Sequence, residues 1–158
     1  MKDNPATMFE INALECISFD FQNAALFDIA QKIRHTTFVL EQGVDPDLEL
    51  DGLDPLAHHY LIKAKDNFLA TARYRFTDSG IKIERFAVEK NYRSLRIGSF
   101  LLIHMLSELK KLQRPVYLHA QDTAVSFYLK HGFIIVGDSF VEAGIVHYHM
   151  FLKSEDLL

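Results

Sequence analysis

The order of apolar and polar residues along the chain switches repeatedly between a strand-like and a helix-like period. Alternation over two residues predicts strands, and apolar positions three or four residues apart predict amphipathic helices. No linker rich in Ser, Gly or Pro and no internal repeat separates these stretches. The pattern therefore predicts one folded domain over residues 1–158.

The first half of the chain predicts a strand, a helix, an irregular segment and three further strands. The helix is expected from about Asn23 to Phe38, with Asn23 as its N-cap. An acidic segment at residues 41–54 is rich in Gly, Pro and Asp, which favours turns. Hairpin turns are expected at residues 65–67 and 77–80. The four predicted strands are Leu14–Phe19, Tyr60–Ala64, Phe68–Phe76 and Ile81–Val88.

The second half predicts two helices that alternate with three strands. A long helix is expected at Ile97–Leu112 and a shorter one at Asp122–His131, where Gly132 suits a left-handed cap. Strand-helix-strand passages need crossovers, whereas hairpins run antiparallel, so we predict an α/β fold with a mixed sheet flanked by helices. The three strands are Val116–Ala120, Phe133–Val136 and Ile145–Leu152.

The charge balance argues against a nucleic-acid partner. Seventeen Lys and Arg side chains against twenty-one Asp and Glu give a formal net charge of -4, which lacks the field of a nucleic-acid-binding protein. No apolar run reaches the roughly 18 residues of a membrane span, and no apolar signal-peptide core follows Met1-Lys-Asp-Asn-Pro. The single cysteine, Cys16, cannot form an internal disulfide. We therefore expect a cytoplasmic protein with no membrane partner.

A strand-like run leads into a turn with two arginines, and this turn opens the long helix. A helix N-terminus offers unpaired N–H groups and the positive end of the helix dipole. Arg93 and Arg96 at that position suit a diphosphate. The alternative is a basic helix cap on an exposed loop. The residues expected to hold the phosphates are Arg93, Ser94, Leu95, Arg96, Ile97, Gly98 and Ser99.

Two motifs resemble signatures of the GNAT N-acetyltransferase superfamily. Arg93-Ser-Leu-Arg-Ile-Gly98 resembles its Arg/Gln-x-x-Gly-x-Gly/Ala acetyl-CoA turn, and Phe127-Tyr-Leu-Lys-His-Gly-Phe133 resembles its Phe-Tyr-x-x-x-Gly-Phe signature. The resemblance covers about residues 35–152. More narrowly, the chain resembles an ElaA/YjcF-like branch of the superfamily. The stretches that match this branch are Phe38-Val-Leu-Glu-Gln42, Glu49-Leu-Asp-Gly-Leu-Asp54, Arg85-Phe-Ala-Val88 and Phe140-Val-Glu-Ala-Gly-Ile-Val-His147.

The resemblance implies a mostly antiparallel sheet of about seven strands with a splayed central pair. It also implies acetyl-CoA as co-substrate and direct attack by a primary amine in a ternary complex. Phe86, Ala87 and Val88 would pair with the pantetheine arm like an added strand. Gln121 lies at the predicted mouth of the split, where support of the following helix cap is the alternative role.

Two positions depart from the resembled turn, because Ser94 and Arg96 stand where glycine is common. A positive φ is costly for residues other than glycine, so neither position is expected to need one unless the backbone is strained, and a right-handed turn is predicted. The backbone amides of residues 94–99 are still expected to converge on the pyrophosphate.

Tyr128, in the second motif, is the predicted general acid. The resemblance implies that its phenol hydrogen-bonds or protonates the departing thiolate of coenzyme A, and simple aromatic packing is the alternative. The attacking amine must also lose a proton, for which Glu41 or Glu84 is a candidate base. A solvated turn is the alternative for Glu41 and a cross-strand ion pair for Glu84.

Gln42, Arg73, Arg85 and His147 are the acceptor-site candidates, because they match residues of the resembled branch. Arginines beside apolar neighbours are rarely buried unpaired, so pairing with the acidic segment is the alternative for both arginines. A packed strand histidine is the alternative for His147. Alternation places Glu84 and Arg85 on opposite faces of their strand. No metal site is predicted, since no cysteine or carboxylate stands at a zinc-like spacing beside the histidines.

The sequence thus predicts an N-acetyltransferase that moves an acetyl group from acetyl-CoA to a small-molecule amine. A non-catalytic acyl-CoA sensor with the same cleft is the alternative. The acceptor stays open, because the acidic residues at 45–54 suit a cation whereas the acceptor-site arginines suit an anionic group. Strand edges near Phe140 to Leu152 also allow for a homodimer.

Overall fold

The computed structural model describes residues 13–154, which contain eight strands and four α-helices. The N-terminal segment, for which we predict no signal peptide, lies outside the described residues. The strands are β1 Leu14–Asp20, β2 His58–Ala64, β3 Asn67–Thr77, β4 Gly80–Val88, β5 Val116–Gln121, β6 Phe133–Ile135, β7 Phe140–Glu142 and β8 Ile145–Leu152. The helices are α1 Ala24–Arg34, α2 Pro46–Glu49, α3 Ile97–Leu109 and α4 Val125–Leu129.

All eight strands form one sheet in the order β1-β2-β3-β4-β5-β8-β6, and β7 also pairs with β8. Only the β4–β5 pair is parallel among the described strands. The predicted α/β fold with a mixed, mostly antiparallel sheet is confirmed. The eighth strand, β7, escaped prediction because its three residues are too few to show a period.

The first helix is shorter than predicted, and a second helical form continues it. Asn23 is the N-cap, and its side chain accepts a hydrogen bond from the amide of Leu26. The α-helix ends at Arg34, and a π-helix runs over His35–Glu41. A π-helix holds more residues per turn and is frequent near functional sites. Here Phe38 of the π-helix and Gln42, which follows the helix, line a cleft beside the sheet.

Helices cover both faces of the sheet. Residues Leu101, Met105 and Leu109 of α3 belong to the main apolar core with β2 to β5. On the other face, Ala30 and Ile33 of α1 pack with Phe19, Leu61 and Ala87. The predicted long helix ends at Leu109 as an α-helix, and a 3₁₀ turn completes it to Leu112. Likewise, the predicted helix at Asp122–His131 is a 3₁₀ turn followed by the short α4.

The parallel pair β4–β5 is closed at one end and open at the other. The amide of Ile81 donates to the carbonyl of Pro115 at 2.8 Å, and a Cβ at Gly80 would lie 2.2 Å from that oxygen. Only glycine therefore fits this close approach. Pairing runs from Ile81 to Ile83 and then stops, so the predicted splay is present.

A β-bulge in β4 accompanies this divergence. Between the pairs Arg73–Glu84 and Thr71–Ala87, two residues of β4 oppose one residue of β3. The bulge includes Arg85, whose φ of 54° lies in the left-handed region. A bulge bends its strand and increases the local twist, which turns the end of β4 away from β5.

Buried ion pairs attach the acidic segment to the sheet. The guanidinium groups of Arg34 and Arg73, with relative accessibilities of 1% and 0%, both donate to Oδ1 of Asp54, at 2.6 and 2.7 Å. Arg34 also donates to Glu49 at 2.5 Å, and Arg73 to Asp51 at 2.6 Å. Opposite charges at these distances satisfy groups that would otherwise be costly to bury. The acidic segment, for which turns are predicted, is thus a folded wall over β3 and β4.

We expect Asp54→Asn to lower the free energy of unfolding by about 3 to 5 kcal/mol, because two buried guanidinium groups lose their shared anion. Denaturant unfolding monitored by circular dichroism measures this change. Asp47→Asn is the control, since Asp47 is an exposed carboxylate of the same segment, and its effect should stay within about 0.5 kcal/mol. Equal effects of the two substitutions would contradict the assigned role of Asp54.

Candidate active site

A cleft of about 460 Å³ opens where β4 and β5 diverge. One wall comes from the π-helix and the acidic segment, and the other from α4 and the β7–β8 hairpin. Among the predicted site residues, those that line the cleft are Gln42, Glu84, Arg85, Phe86, Gln121, Tyr128 and His147. Those that do not line it are Glu41, Arg73, Ala87, Val88 and the turn at residues 93–99.

Tyr128 lies at the floor of the cleft. It is held edge-on between the rings of Phe86, Phe127 and Phe133, at centroid distances of 5.0 to 6.0 Å. Burial raises the pKa of its phenol above the usual value of 10, so the hydroxyl stays protonated at neutral pH. No hydrogen bond ties this hydroxyl to another residue in the described part of the chain.

The arginine-containing turn differs from the predicted conformation. Ser94 and Arg96 both have φ of 64°, so the predicted right-handed turn is wrong at both positions. The left-handed region is accessible to other residues at a modest cost, and Arg96 occupies it as the N-cap of α3. The backbone amides of residues 94–99 donate no backbone hydrogen bond to described residues, and Phe100 makes the first one, to Arg96.

Arg93 joins this turn to β4 and to the π-helix. Its Nε donates to the carbonyl of Val88 at 2.9 Å, and its NH2 group lies 2.8 Å from a carboxylate oxygen of Glu41. Glu41 therefore faces the turn and not the cleft. The neighbouring Gln42 accepts a hydrogen bond of 2.8 Å from the amide of Gln121, so the end of the π-helix contacts both sides of the split.

Glu84 is fully engaged by cations. It accepts hydrogen bonds from Arg73 and Arg75 at 3.0 and 2.8 Å and lies 3.2 Å from Nζ of Lys82. Burial alone would raise its pKa, but the hydrogen bond from Arg75 and the charges of Arg73 and Lys82 outweigh burial and lower the pKa to about 2. A carboxylate with so low a pKa is a poor proton acceptor near neutral pH.

Arg73 and Arg85 have different environments. Arg73 is buried, and its guanidinium donates to Asp51, Asp54 and Glu84, so no donor is left for the amine substrate. Arg85 lines the cleft and contacts Asp51 at 3.3 Å. The expectation that Glu84 and Arg85 face opposite sides of β4 is wrong, because the bulge interrupts the alternation. Both side chains contact the ion-pair network of Arg73 and Asp51.

The sequence reasoning missed a polar group at the β7–β8 end of the cleft. His119, Glu142 and His147 line the cleft together. Directly opposed residues of antiparallel strands face the same side of a sheet, and Gln121 and Phe140 both pair with His147. The matched Gly-Ile-x-His stretch pointed to His147, but the carboxylate at position 142 lies on the unpredicted strand β7.

The cleft thus combines an apolar floor, a phenol and a histidine–carboxylate group, next to a turn with unpaired amides. The amino-acid sequence of the chain matches the family model for the acetyltransferase (GNAT) domain over residues 34–154. The chain belongs to the GNAT acetyltransferase family. This membership confirms the predicted enzyme class, an acyl-CoA-dependent N-acyltransferase.

GNAT relatives match most of the chain. An uncharacterized N-acetyltransferase of Bacillus subtilis, YjcF, is 31% identical over 127 residues, which cover 75% of this chain and 86% of YjcF. The crystal structure of Escherichia coli ElaA superposes with a TM-score of 0.80 at 27% identity and covers 89% of this chain and 99% of ElaA. An acyl-CoA N-acyltransferase from Pseudomonas aeruginosa superposes with a TM-score of 0.77, also at 27% identity, over the same shares. The resemblance to the ElaA/YjcF-like branch is confirmed.

The cellular location and the oligomeric state of the protein stay predictions. None of the helices within residues 13–154 has the length and apolar character that a membrane crossing requires. The cytoplasmic location and the homodimer are expectations from the sequence alone.

The left-handed Arg96 predicts an unusual order of stability among its variants. Arg96→Gly should be more stable than Arg96→Ala by about 1 kcal/mol, because only alanine retains the cost of a positive φ. Thermal and denaturant unfolding of both variants measure the difference. At Lys110, an exposed helix cap with φ of -59°, alanine should be the more stable of the same two substitutions. The same order at both positions would contradict the assigned turn.

The ion pairs of Glu84 predict acid sensitivity. Because its pKa is lower in the folded chain than in the unfolded chain, the unfolded chain binds more protons and stability falls from about pH 4.5 down to about pH 2. In Glu84→Gln, the loss between about pH 6 and about pH 3 should shrink by about 2 kcal/mol. Unfolding free energies at about pH 6 and about pH 3 provide the measurement. An unchanged slope in the variant would refute this contribution.

Proposed function

We propose that this protein transfers an acetyl group from acetyl-CoA to the primary amine of a small molecule that occupies the β4–β5 cleft. The observation that carries the proposal is the divergence of these strands beside Tyr128. The edge of β4 that faces β5 has no strand partner from Glu84 to Val88, so Phe86, Ala87 and Val88 are the candidates for backbone contacts with a ligand. The carbonyl of Val88 already accepts a hydrogen bond from Nε of Arg93. Free strand edges bind extended ligands that contain amides.

The turn at residues 94–99 fits the diphosphate of the carrier. Its amides donate no backbone hydrogen bond and precede the positive end of α3, which is the arrangement that anions favour. The guanidinium groups of Arg93 and Arg96 add charge at an exposed position. A diphosphate there would compete with Glu41 for Arg93, because the two already form an ion pair. When bound, acetyl-CoA supplies the acyl group as an activated thioester.

Tyr128 supplies the proton for the departing sulfur. Its hydroxyl is protonated, has no hydrogen-bonded partner in the described chain and lies against the unpaired part of β4 through Phe86. A protonated donor held in an apolar wall stabilises a thiolate more strongly than a donor in water does. The aromatic packing considered as an alternative is also present, and it fixes the position of the ring.

The acceptor occupies the wider part of the cleft. Apolar side chains such as Val44, Leu53 and Ile145 line it, and Gln42, Arg85 and His147 provide polar contacts. The Nε of Arg85 is buried and has no hydrogen-bond partner among the described residues, and a carboxylate oxygen of Glu49 lies 3.7 Å from it. Neither Glu41 nor Glu84 is retained as the base, since one faces the turn and the other is held by cations.

We expect Tyr128→Phe to lower the rate of amine-dependent thiol release by about 10²- to 10⁴-fold, with the affinity for acetyl-CoA nearly unchanged. Calorimetry measures binding, and a thiol assay with tyramine, glucosamine, spermidine and lysine measures turnover. Tyr117→Phe is the control, because Tyr117 lies at the closed end of the β4–β5 pair.

The outcomes separate the enzyme from a sensor. Acetyl-CoA binding without thiol release for any amine would favour a non-catalytic acyl-CoA sensor. No binding of acetyl-CoA or coenzyme A would refute both functions.

A further inference from the structure

The cleft contains a histidine–carboxylate cluster that the role proposed for Tyr128 does not use. The cluster consists of His119 on β5, Glu142 on β7 and His147 on β8. Nδ1 of His119 lies 3.5 Å from Oε2 of Glu142, and Nε2 of His147 lies 3.9 Å from the same oxygen. One carboxylate oxygen thus lies between two imidazoles at the end of the acceptor cleft.

The other carboxylates that line the cleft are occupied by cations. Glu49, Asp51 and Glu84 each lie within ion-pair distance of an arginine. A carboxylate that is held by a guanidinium gains little from a proton, because protonation removes the attraction. The histidine–carboxylate cluster therefore contains titratable groups of the cleft lining that no guanidinium holds in the described chain.

The two histidines differ in which nitrogen is available. Nδ1 of His147 lies 2.7 Å from the carbonyl oxygen of Ile145, so it carries the proton and donates to that oxygen. Its Nε2 faces Glu142, and the residue is buried. For His119, Nδ1 is buried and has no hydrogen-bond partner among the described residues, and Oε2 of Glu142 lies 3.5 Å from it. An Nδ1–H directed at this carboxylate leaves the lone pair on Nε2, at the opposite edge of the ring.

We propose that His119 accepts the proton of the attacking amine and that Glu142 is the positioning residue that fixes the imidazole. This inference rests on the proposed N-acyl transfer. The amine lone pair forms the C–N bond, the C–S bond breaks, and the nitrogen proton passes to Nε2 of His119. The sulfur takes a proton from Tyr128. Proton exchange with water then restores both side chains, so that amine and thioester become amide and thiol without a further reactant.

Several charged and titratable groups surround His119 and enter any pH profile. They are Glu142 on β7, His147 and His149 on β8, Tyr117 on β5, and Lys82 and Glu84 on β4. The proximity of His119 is the main cause of a lowered pKa at Glu142, and burial opposes it. Lys82 and His147 lower the same pKa through their charges.

We expect His119→Gln to lower kcat/KM by about 10²-fold with the most reactive amine of the panel named above, and to remove the acid limb of its pH profile. The affinity for acetyl-CoA should stay within about threefold, since the substitution leaves the backbone edge of β4 intact. His58→Gln is the matched control, because His58 is also a strand histidine packed against aromatic rings but does not line the cleft. Retention of rate and acid limb in His119→Gln would overturn the proposal.

A measurement on the protein without acetyl-CoA tests the pairing independently of turnover. Nitrogen NMR should show the Nδ1–H tautomer for His119, and carbon NMR should show the pKa of Glu142 rising toward 4.5 in His119→Gln. The Nε2–H tautomer, or an unmoved pKa of Glu142, would overturn the assignment. If wild-type protein does not bind acetyl-CoA, the proposed function fails instead. If it binds but no amine reacts, the NMR result alone decides the pairing.

Discussion

One additional residue in β4 determines where ligands can enter this fold. The bulge at Arg85 begins two residues after Ile83, the last residue of β4 that pairs with β5. Beyond it the two strands separate, and the gap cannot close because the backbone of β4 has turned away. The other end is held by the contact of Gly80 with Pro115. The strand pair is therefore a wedge, and every proposed site group lies along its open side.

The same bulge organises the charges. It brings Arg85 to the side of the sheet that already carries Arg73 and Glu84, and the acidic segment covers this side with Asp51 and Asp54. The carboxylates that seemed suited to acid–base chemistry are used to bury arginines. The groups proposed for proton transfer, the phenol of Tyr128 and the imidazole of His119, form no ion pair with an arginine in the described chain. Within one cleft, the carboxylates bound by arginines thus stabilise the fold, and different side chains are proposed for the reaction.

The sequence predicted the elements with clear periods and the motifs with local geometry. The three central strands, the N-cap at Asn23 and the glycine after α4 follow from short-range rules. The bulge at Arg85 and strand β7 did not, because both depend on the partner strand and leave no local pattern. Tyr128 was found through its motif. The pairing of His119 with Glu142 joins positions 23 residues apart through strand register, which a single sequence does not reveal.

The turn before α3 shows that residues other than glycine can hold left-handed backbone angles. Ser94 and Arg96 adopt left-handed angles that are usually associated with glycine. Each replacement adds strain on the order of 1 kcal/mol, which a well-packed domain tolerates. A pattern search that requires glycine at these two places would pass over this chain, because left-handed backbone angles are open here to a serine and an arginine.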